Sequence, residues 1–396
     1  MSGRAAPFWP LAASTWDGAE RRAAIAVIES GETTMGARVA AFEVRFAETV
    51  GARHAVMVNS GSSANLLAVA CLFFTDPPRA RAGAVAVVPA VSWATTYFPL
   101  AQYGLILRFV DVDAGTLNFD LAALERALDH DVAVVFAVNL LGNPNDFDAV
   151  RRLVEARGIA LLEDNCESLG ATWGGRAAGT FGAVGTFSTF FSHHISTMEG
   201  GVCVTDDEEL HHILLALRAH GWTRDLPRSN RVAEPAQGGD FHELYRFVLP
   251  GYNLRPTEVA AAIGLEQLAK LPGFVAARRA NAARFVAAMA DVPGVRTQKE
   301  LGESSWFGFA LTLTGQATRS REEVVARLAA DGVESRPIVA GNFTRQPVMA
   351  RLRHEPPPPL PAADAVHERG FYIGNPHHEA DDAIDRLAKI VQDAVG

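Results

Sequence analysis

The segment from Thr186 to Gly201 reads Thr-Phe-Ser-Thr-Phe-Phe-Ser-His-His-Ile-Ser-Thr-Met-Glu-Gly-Gly and sets His193 beside His194. Adjacent histidines lack the i, i+4 spacing of a helical metal pair, so no metal site is expected. A single imidazole titrates near neutrality and can move protons; a pair of satisfied structural histidines is the other reading. Upstream, Leu161-Leu162-Glu163-Asp164-Asn165-Cys166-Glu167-Ser168 ends an apolar run in carboxylates. A buried carboxylate without a partner is costly. Asp164 therefore calls for a protonated heteroaromatic nitrogen, a helix start or a core ion pair. Ser60-Gly61-Ser62-Ser63-Ala64-Asn65 offers either an anion cradle at a helix start or a plain Ser cap. Trp93, in Ala90-Val91-Ser92-Trp93-Ala94-Thr95-Thr96, is placed to stack on a planar ring or to fill a core.

These segments need elements to hold them. Apolar β-type runs occur at 55–58, 84–88, 107–110, 132–138 and 159–162, with helical patterns between some of them, as at 63–73 and 146–157. Strands buried on both faces and separated by helices predict a mostly parallel α/β sheet. Ligands of such sheets bind at the carboxyl ends of strands, where the Ser60, Trp93 and Asp164 segments fall. The pattern changes near Pro250-Gly251. From Thr257 to about Ala290 it reads as long Ala-rich helix carrying Arg278 and Arg279. A strand-like run at 307–313 and a helical one at 321–330 follow. The expected division is a large domain, 1–255, and a smaller α+β domain, 256–396. Glu355-Pro356-Pro357-Pro358-Pro359 is a stiff surface segment.

The 396 residues are 48% hydrophobic and 20% charged, which is a globular balance. A net charge of −9 argues against a nucleic-acid surface. No apolar run reaches the roughly 18 residues of a membrane span, and Met1–Trp16 carries no secretory pattern. A cytoplasmic protein with no membrane partner is the expectation. The cysteines Cys71, Cys166 and Cys203 are too scattered for a disulfide framework or a paired metal site.

Together and in this order, the segments resemble the DegT/DnrJ/EryC-type sugar aminotransferases that use pyridoxal 5′-phosphate, from about Thr34 to the C-terminus. The resemblance implies an aspartate-aminotransferase-like fold (PLP fold type I) and a homodimer with shared active sites. By it, Gly61, Ser62 and Ser188 hold the cofactor phosphate and Trp93 stacks on the ring. Asp164 pairs with the ring nitrogen. Glu167 faces the 3-hydroxyl, where most relatives carry Gln or His. Asn253, in Pro250-Gly251-Tyr252-Asn253-Leu254-Arg255, reaches the phosphate from the partner subunit.

The departure that matters from the family pattern Lys-Asn-Ile-Thr-Thr-Gly-Glu-Gly-Gly is at its lysine. This chain reads His-His-Ile-Ser-Thr-Met-Glu-Gly-Gly, so His193 stands where the family's cofactor-bonding lysine stands. The first lysine in the chain is Lys270. That swap resembles a subgroup of nucleotide-sugar 3-dehydratases that work with pyridoxamine 5′-phosphate, some with an iron–sulfur cluster and some without. Three scattered cysteines match the cluster-free kind. The resemblance implies removal of the C3 hydroxyl from a 4-keto-6-deoxy sugar, GDP-linked in the first instance. L-glutamate is the implied amino donor and His193 the acid/base. Segments 217–225 and 334–343 resemble that subgroup too, which puts His220, Arg224 and Arg336 at the sugar. The alternatives are a CDP- or dTDP-linked sugar, an aminotransferase, or a catalytically silent scaffold.

Overall fold

All five apolar runs of the first half become strands of one sheet: β1 (His54–Val58), β2 (Val85–Pro89), β3 (Ile106–Val110), β4 (Val132–Val138) and β5 (Ala160–Asp164). The computed structural model describes residues 7–234 and 240–396. A short ribbon, β6 (Thr172–Trp173) with β7 (Arg176–Ala177), precedes β8 (Val184–Ser188) and β9 (Gly201–Thr205). The sheet order is β1-β9-β8-β5-β4-β2-β3. Every pairing from β8 through to β3 is parallel, and β9 runs antiparallel to both β8 and β1. The carboxyl ends of β1, β2, β4, β5 and β8 therefore share one edge with the start of β9.

Burial on both faces explains the unbroken apolar runs. In β2, Ala86 and Val88 join one core while Val85 and Val87 join another; in β4, Val134 and Phe136 face the first and Val135 and Ala137 the second. This is the period-2 alternation of a strand with no solvent face. The helix Gly61–Cys71 starts where β1 ends, with Ser60 Oγ accepting from Ser63 N at 3.1 Å.

The predicted long helix is one continuous element, Glu258–Met289, capped by Thr257, whose Oγ1 accepts from Ala260 N at 3.2 Å. Its length and apolarity would suit a membrane span, but half of its most apolar stretch is buried within the protein. Leu268, Leu271 and Val275 pack with the sheet's outer helices, and Ala282, Phe285 and Met289 enter a second core. That core lies on a four-stranded antiparallel sheet, β10 (Val295–Thr297), β11 (Gly308–Leu313), β12 (Ser335–Arg336) and β13 (Gly370–Gly374), in the order β10-β11-β13-β12. Phe285 stacks on Phe309 with ring centroids 4.3 Å apart. Trp9 reaches this second core from the N-terminal segment, its Nε1 donating to Gly374 O at 2.8 Å. The smaller C-terminal unit is thus built partly from the first residues of the chain.

Candidate active site

The shared strand edge opens into a cavity of about 550 Å³. Gly61, Ser62, Trp93, Asp164, Glu167, Ser188, His193 and Arg336 all line it. The first six lie at or just beyond the carboxyl ends of β1, β2, β5 and β8, as ligand sites in parallel sheets do. Arg336 comes from β12 of the smaller sheet, so both units build the wall.

Asp164 ends β5 and is 6% exposed. Its Oδ2 accepts from Asn65 Nδ2 and from Thr96 Oγ1, both at 2.8 Å, and its Oδ1 accepts from Cys166 N at 3.1 Å. Thr186 Oγ1 donates to Asn65 Oδ1 and so orients that amide. No lysine, arginine or histidine among the described residues forms an ion pair with Asp164. The result is a clamped, buried carboxylate facing a cavity without a counter-charge.

At the start of the helix Gly61–Cys71 a Cβ on Gly61 would lie 2.6 Å from Ser188 Cβ and 2.9 Å from Cys166 Sγ, so only glycine fits. A Cβ on Gly201 would meet Ser60 O at 2.2 Å, which accounts for the Gly pair that opens β9. Ser62 Oγ lies 3.3 Å from Thr95 Oγ1. Free helix N–H groups, the Ser62, Thr95 and Ser188 hydroxyls and a bare glycine are the set of donors and space that an anion cup needs. Trp93 is 59% exposed at the cavity rim, which rules out the core reading of its indole.

The two histidines separate sharply. His194 is 1% exposed, its Nε2 lies 3.1 Å from Ser305 O, and burial pushes its pKa well down. His193 is only partly buried and lines the cavity, with its Nδ1 buried and unpartnered. Burial, aided by the positive charge of Arg278, pulls the His193 pKa down to about 4, so the ring is neutral at pH 7. Burial and then the Asp164 charge raise the Glu167 carboxyl to about 7, against the N–H of Leu141 that donates to its Oε2 at 3.0 Å. All three lysines of the chain, Lys270, Lys299 and Lys389, lie elsewhere. Lys270 pairs with Asp17 and Glu20.

Three expected residues do not reach this cavity within one chain. Arg224 and Asn253 line a separate depression of about 440 Å³. Arg224 stacks over Trp222, 5.2 Å from the ring centroid, and Asn253 Oδ1 accepts from Arg255 Nε at 3.1 Å. His220, with φ +64, sits on the turn between the helix Glu208–Arg218 and Arg224. The cause is a backbone ladder: Tyr252 N donates to Leu217 O, Leu254 N to Arg218 O, and His220 N to Tyr252 O. It fixes both segments together, apart from His193. Conversely, Asn65, Thr96, Asn139 and Tyr372 belong to the site or to its support and were not singled out. Asn65 had a readable signal, a polar residue on the apolar face of an Ala/Leu helix. Tyr372 had none.

The DegT/DnrJ/EryC1/StrS aminotransferase family matches residues 15–392. The chain belongs to this family. It is 49% identical over 385 residues to GDP-4-keto-6-deoxy-D-mannose 3-dehydratase of Escherichia coli O55:H7, covering 97% of this chain and 99% of that one. The fold matches two crystal structures of GDP-4-keto-6-deoxymannose-3-dehydratase, each with a TM-score of 0.95 and 49% identity over 97% of this chain and 100% of that chain. One is a histidine-to-asparagine variant with bound GDP-perosamine; the other holds a trapped PLP-glutamate geminal diamine. The architecture is the aspartate-aminotransferase-like PLP fold type I of this family, as the resemblance implies.

Proposed function

We propose that this family member is a pyridoxal/pyridoxamine 5′-phosphate-dependent 3-dehydratase of a GDP-linked 4-keto-6-deoxyhexose, with L-glutamate as amino donor. The observation that carries it is His193, a neutral imidazole on the cavity wall where the family has its lysine, with no lysine among the described residues that line the cavity.

The residues present fit the cofactor. Asp164 supplies a clamped carboxylate that has no cation of its own. Gly61, Ser62 and Ser188 supply a cup that a Cβ would fill. When bound, the cofactor supplies an amine for the sugar ketone and a ring that withdraws electrons. Asp164 holds a proton on the ring nitrogen, and Trp93 covers the ring face. Glu167 faces the ring's 3-oxygen. Without a bonding lysine, these contacts alone retain the cofactor. The His193 imidazole, neutral at pH 7, would take up the proton released at the cofactor's C4′ carbon and return it to the C3 hydroxyl, which leaves as water. Arg336 at the cavity wall faces the sugar. Arg224, Asn253 and His220 complete the site from a second subunit. The homodimer reading is supported by the separate depression that Arg224 and Asn253 line and by the exposed Phe190, Phe191 and Met198. In this reading residues 1–255 bind the cofactor and 256–396 close the sugar side.

The test is product analysis. The protein is incubated in air with pyridoxal phosphate, glutamate and GDP-4-keto-6-deoxymannose. The expected products are a sugar lighter by one oxygen, ammonia and 2-oxoglutarate. A stable amino sugar would overturn the proposal in favour of transamination. Turnover of only CDP- or dTDP-linked sugars would overturn the GDP assignment.

A further inference from the structure

A second, smaller cavity of about 160 Å³ adjoins the first, sharing Leu11, Ser192, Phe307 and Tyr372 with it. Its floor is Arg278, on the long helix and 5% exposed. Arg278 Nη1 donates to Phe307 O at 2.9 Å and to Asn375 O at 2.6 Å. Its Nε is buried without a partner, and no described residue bonds Nη2. No Asp or Glu pairs with it among the described residues, and none lines the cavity. The other polar lining groups are Ser192, Asn375, His377 and His378, besides the Tyr372 hydroxyl. A guanidinium this deeply buried with no counter-ion is costly unless an anion joins it. Two carbonyls occupy Nη1 and leave Nη2 without a protein partner, a charged donor for a carboxylate in the cavity, while Nε stays sealed beneath it.

We infer that this cavity is a carboxylate subsite in which Arg278 holds one carboxylate of the amino donor, adjacent to His193. Its size admits a carboxylate with a short chain and excludes a nucleotide diphosphate. Phe307, whose carbonyl Arg278 holds, packs its ring 5.3 Å from the His193 ring, and Ser192, next to His193 in sequence, lines both cavities, so the donor would sit next to the group that must shuttle the proton. Trp9 and Leu11 roof it, so the N-terminal segment is part of the wall. This rests on the proposed use of glutamate.

The test uses the full-length, cofactor-free protein and glutarate as the probe, titrated calorimetrically, with GDP titrated in parallel. Arg278→Gln is expected to weaken glutarate binding by roughly 30-fold or more, as for loss of a buried charge-assisted pair, and to leave GDP binding within about twofold. Unchanged glutarate affinity in the folded variant overturns the subsite. So does a parallel loss of glutarate and GDP binding, which would make Arg278 a scaffold or phosphate residue. If Arg278→Gln does not fold, Ala383→Met fills the same cavity without touching the guanidinium bonds and carries the same expectation and the same refutation. Wild-type protein that binds glutarate yet releases no 2-oxoglutarate from glutamate would sink the dehydratase reading and leave the subsite standing. Wild-type protein that binds no glutarate overturns the subsite itself.

Discussion

Replacing Asp164 by Asn should act in opposite directions on the empty and the loaded protein. The carboxylate accepts three hydrogen bonds and is 6% exposed. An Asn side chain can put its oxygen at the Oδ2 position and keep the bonds from Asn65 and Thr96. Its NH2 then meets the Cys166 N–H, so one bond is lost and one buried donor is stranded, at a cost of about 1–3 kcal/mol. Against this, the variant no longer buries a charge without a counter-ion, a penalty of several kcal/mol. The two nearly cancel, so the cofactor-free variant should lie within about 1–2 kcal/mol of wild type in urea denaturation, on either side. With cofactor, the charge partner of the ring nitrogen is gone. Loss of such a buried pair costs about 2–5 kcal/mol, or roughly 30- to 5000-fold in affinity. Fluorescence or absorbance titration of pyridoxal phosphate reads this directly. A variant that binds cofactor within threefold of wild type would refute the role given to Asp164. A variant that is unstable even without cofactor would show the carboxylate to be a structural hub.

Other perturbations test the remaining groups. His193→Asn should lower dehydration by about 10²–10⁴-fold, as for loss of a general acid–base, while cofactor affinity stays within a few-fold. Near-normal turnover would remove His193 from the proton path. Glu167 has a carboxyl raised from 4.5 to about 7, so its contribution to stability falls as pH rises from about 4.5 to about 7, is constant above that, and is unchanged below about pH 4.5. Glu167→Gln, which keeps the acceptor for Leu141 N, should therefore stabilise the empty protein at pH 8 by up to about 3 kcal/mol relative to pH 4.5; a pH-independent difference contradicts that. Met198 holds φ +71 where the family pattern has Gly. Met198→Gly relieves about 1–2 kcal/mol of left-handed strain against about 0.5–1 kcal/mol of added chain entropy. Denaturant midpoints should show a net gain of roughly 0.5–1 kcal/mol.

The sequence was most readable where one physical rule acted alone. The run 132–138 appears unchanged as β4, because a central strand buried on both faces is apolar throughout. The helix Arg321–Ala330 also falls where it is expected, with a Ser320–Glu323 capping box to start it. The helix Ala94–Gln102 was not predicted, since it contains Pro99 and depends on packing for its place. β8 and β9 were hidden by their Ser, Thr and Gly content, which serves the cup they form. Among the site residues, those carried by contiguous motifs converge on one cavity. His220, Arg224 and Asn253 do not, because the backbone bonds between segments 217–220 and 252–254 hold them together, away from His193, a constraint set by three-dimensional pairing and not by local pattern. Arg278 was visible only as a charge in an Ala-rich helix. Its lack of a counter-ion is a property of three-dimensional neighbours.

The long helix has a mechanical consequence. Pro272, exposed near its middle, cannot donate the hydrogen bond that would close the turn before it, which makes this the compliant point of a rod joining two cores. Arg278 lies six residues beyond, about 9 Å along the axis, whereas Met289 lies about 25 Å away. A 5° flexure at Pro272 would carry Met289 through roughly 2 Å but Arg278 through less than about 1 Å. The guanidinium sits close to the fulcrum, where the two halves of the molecule can breathe against each other with the least disturbance to the distance between Arg278 and His193.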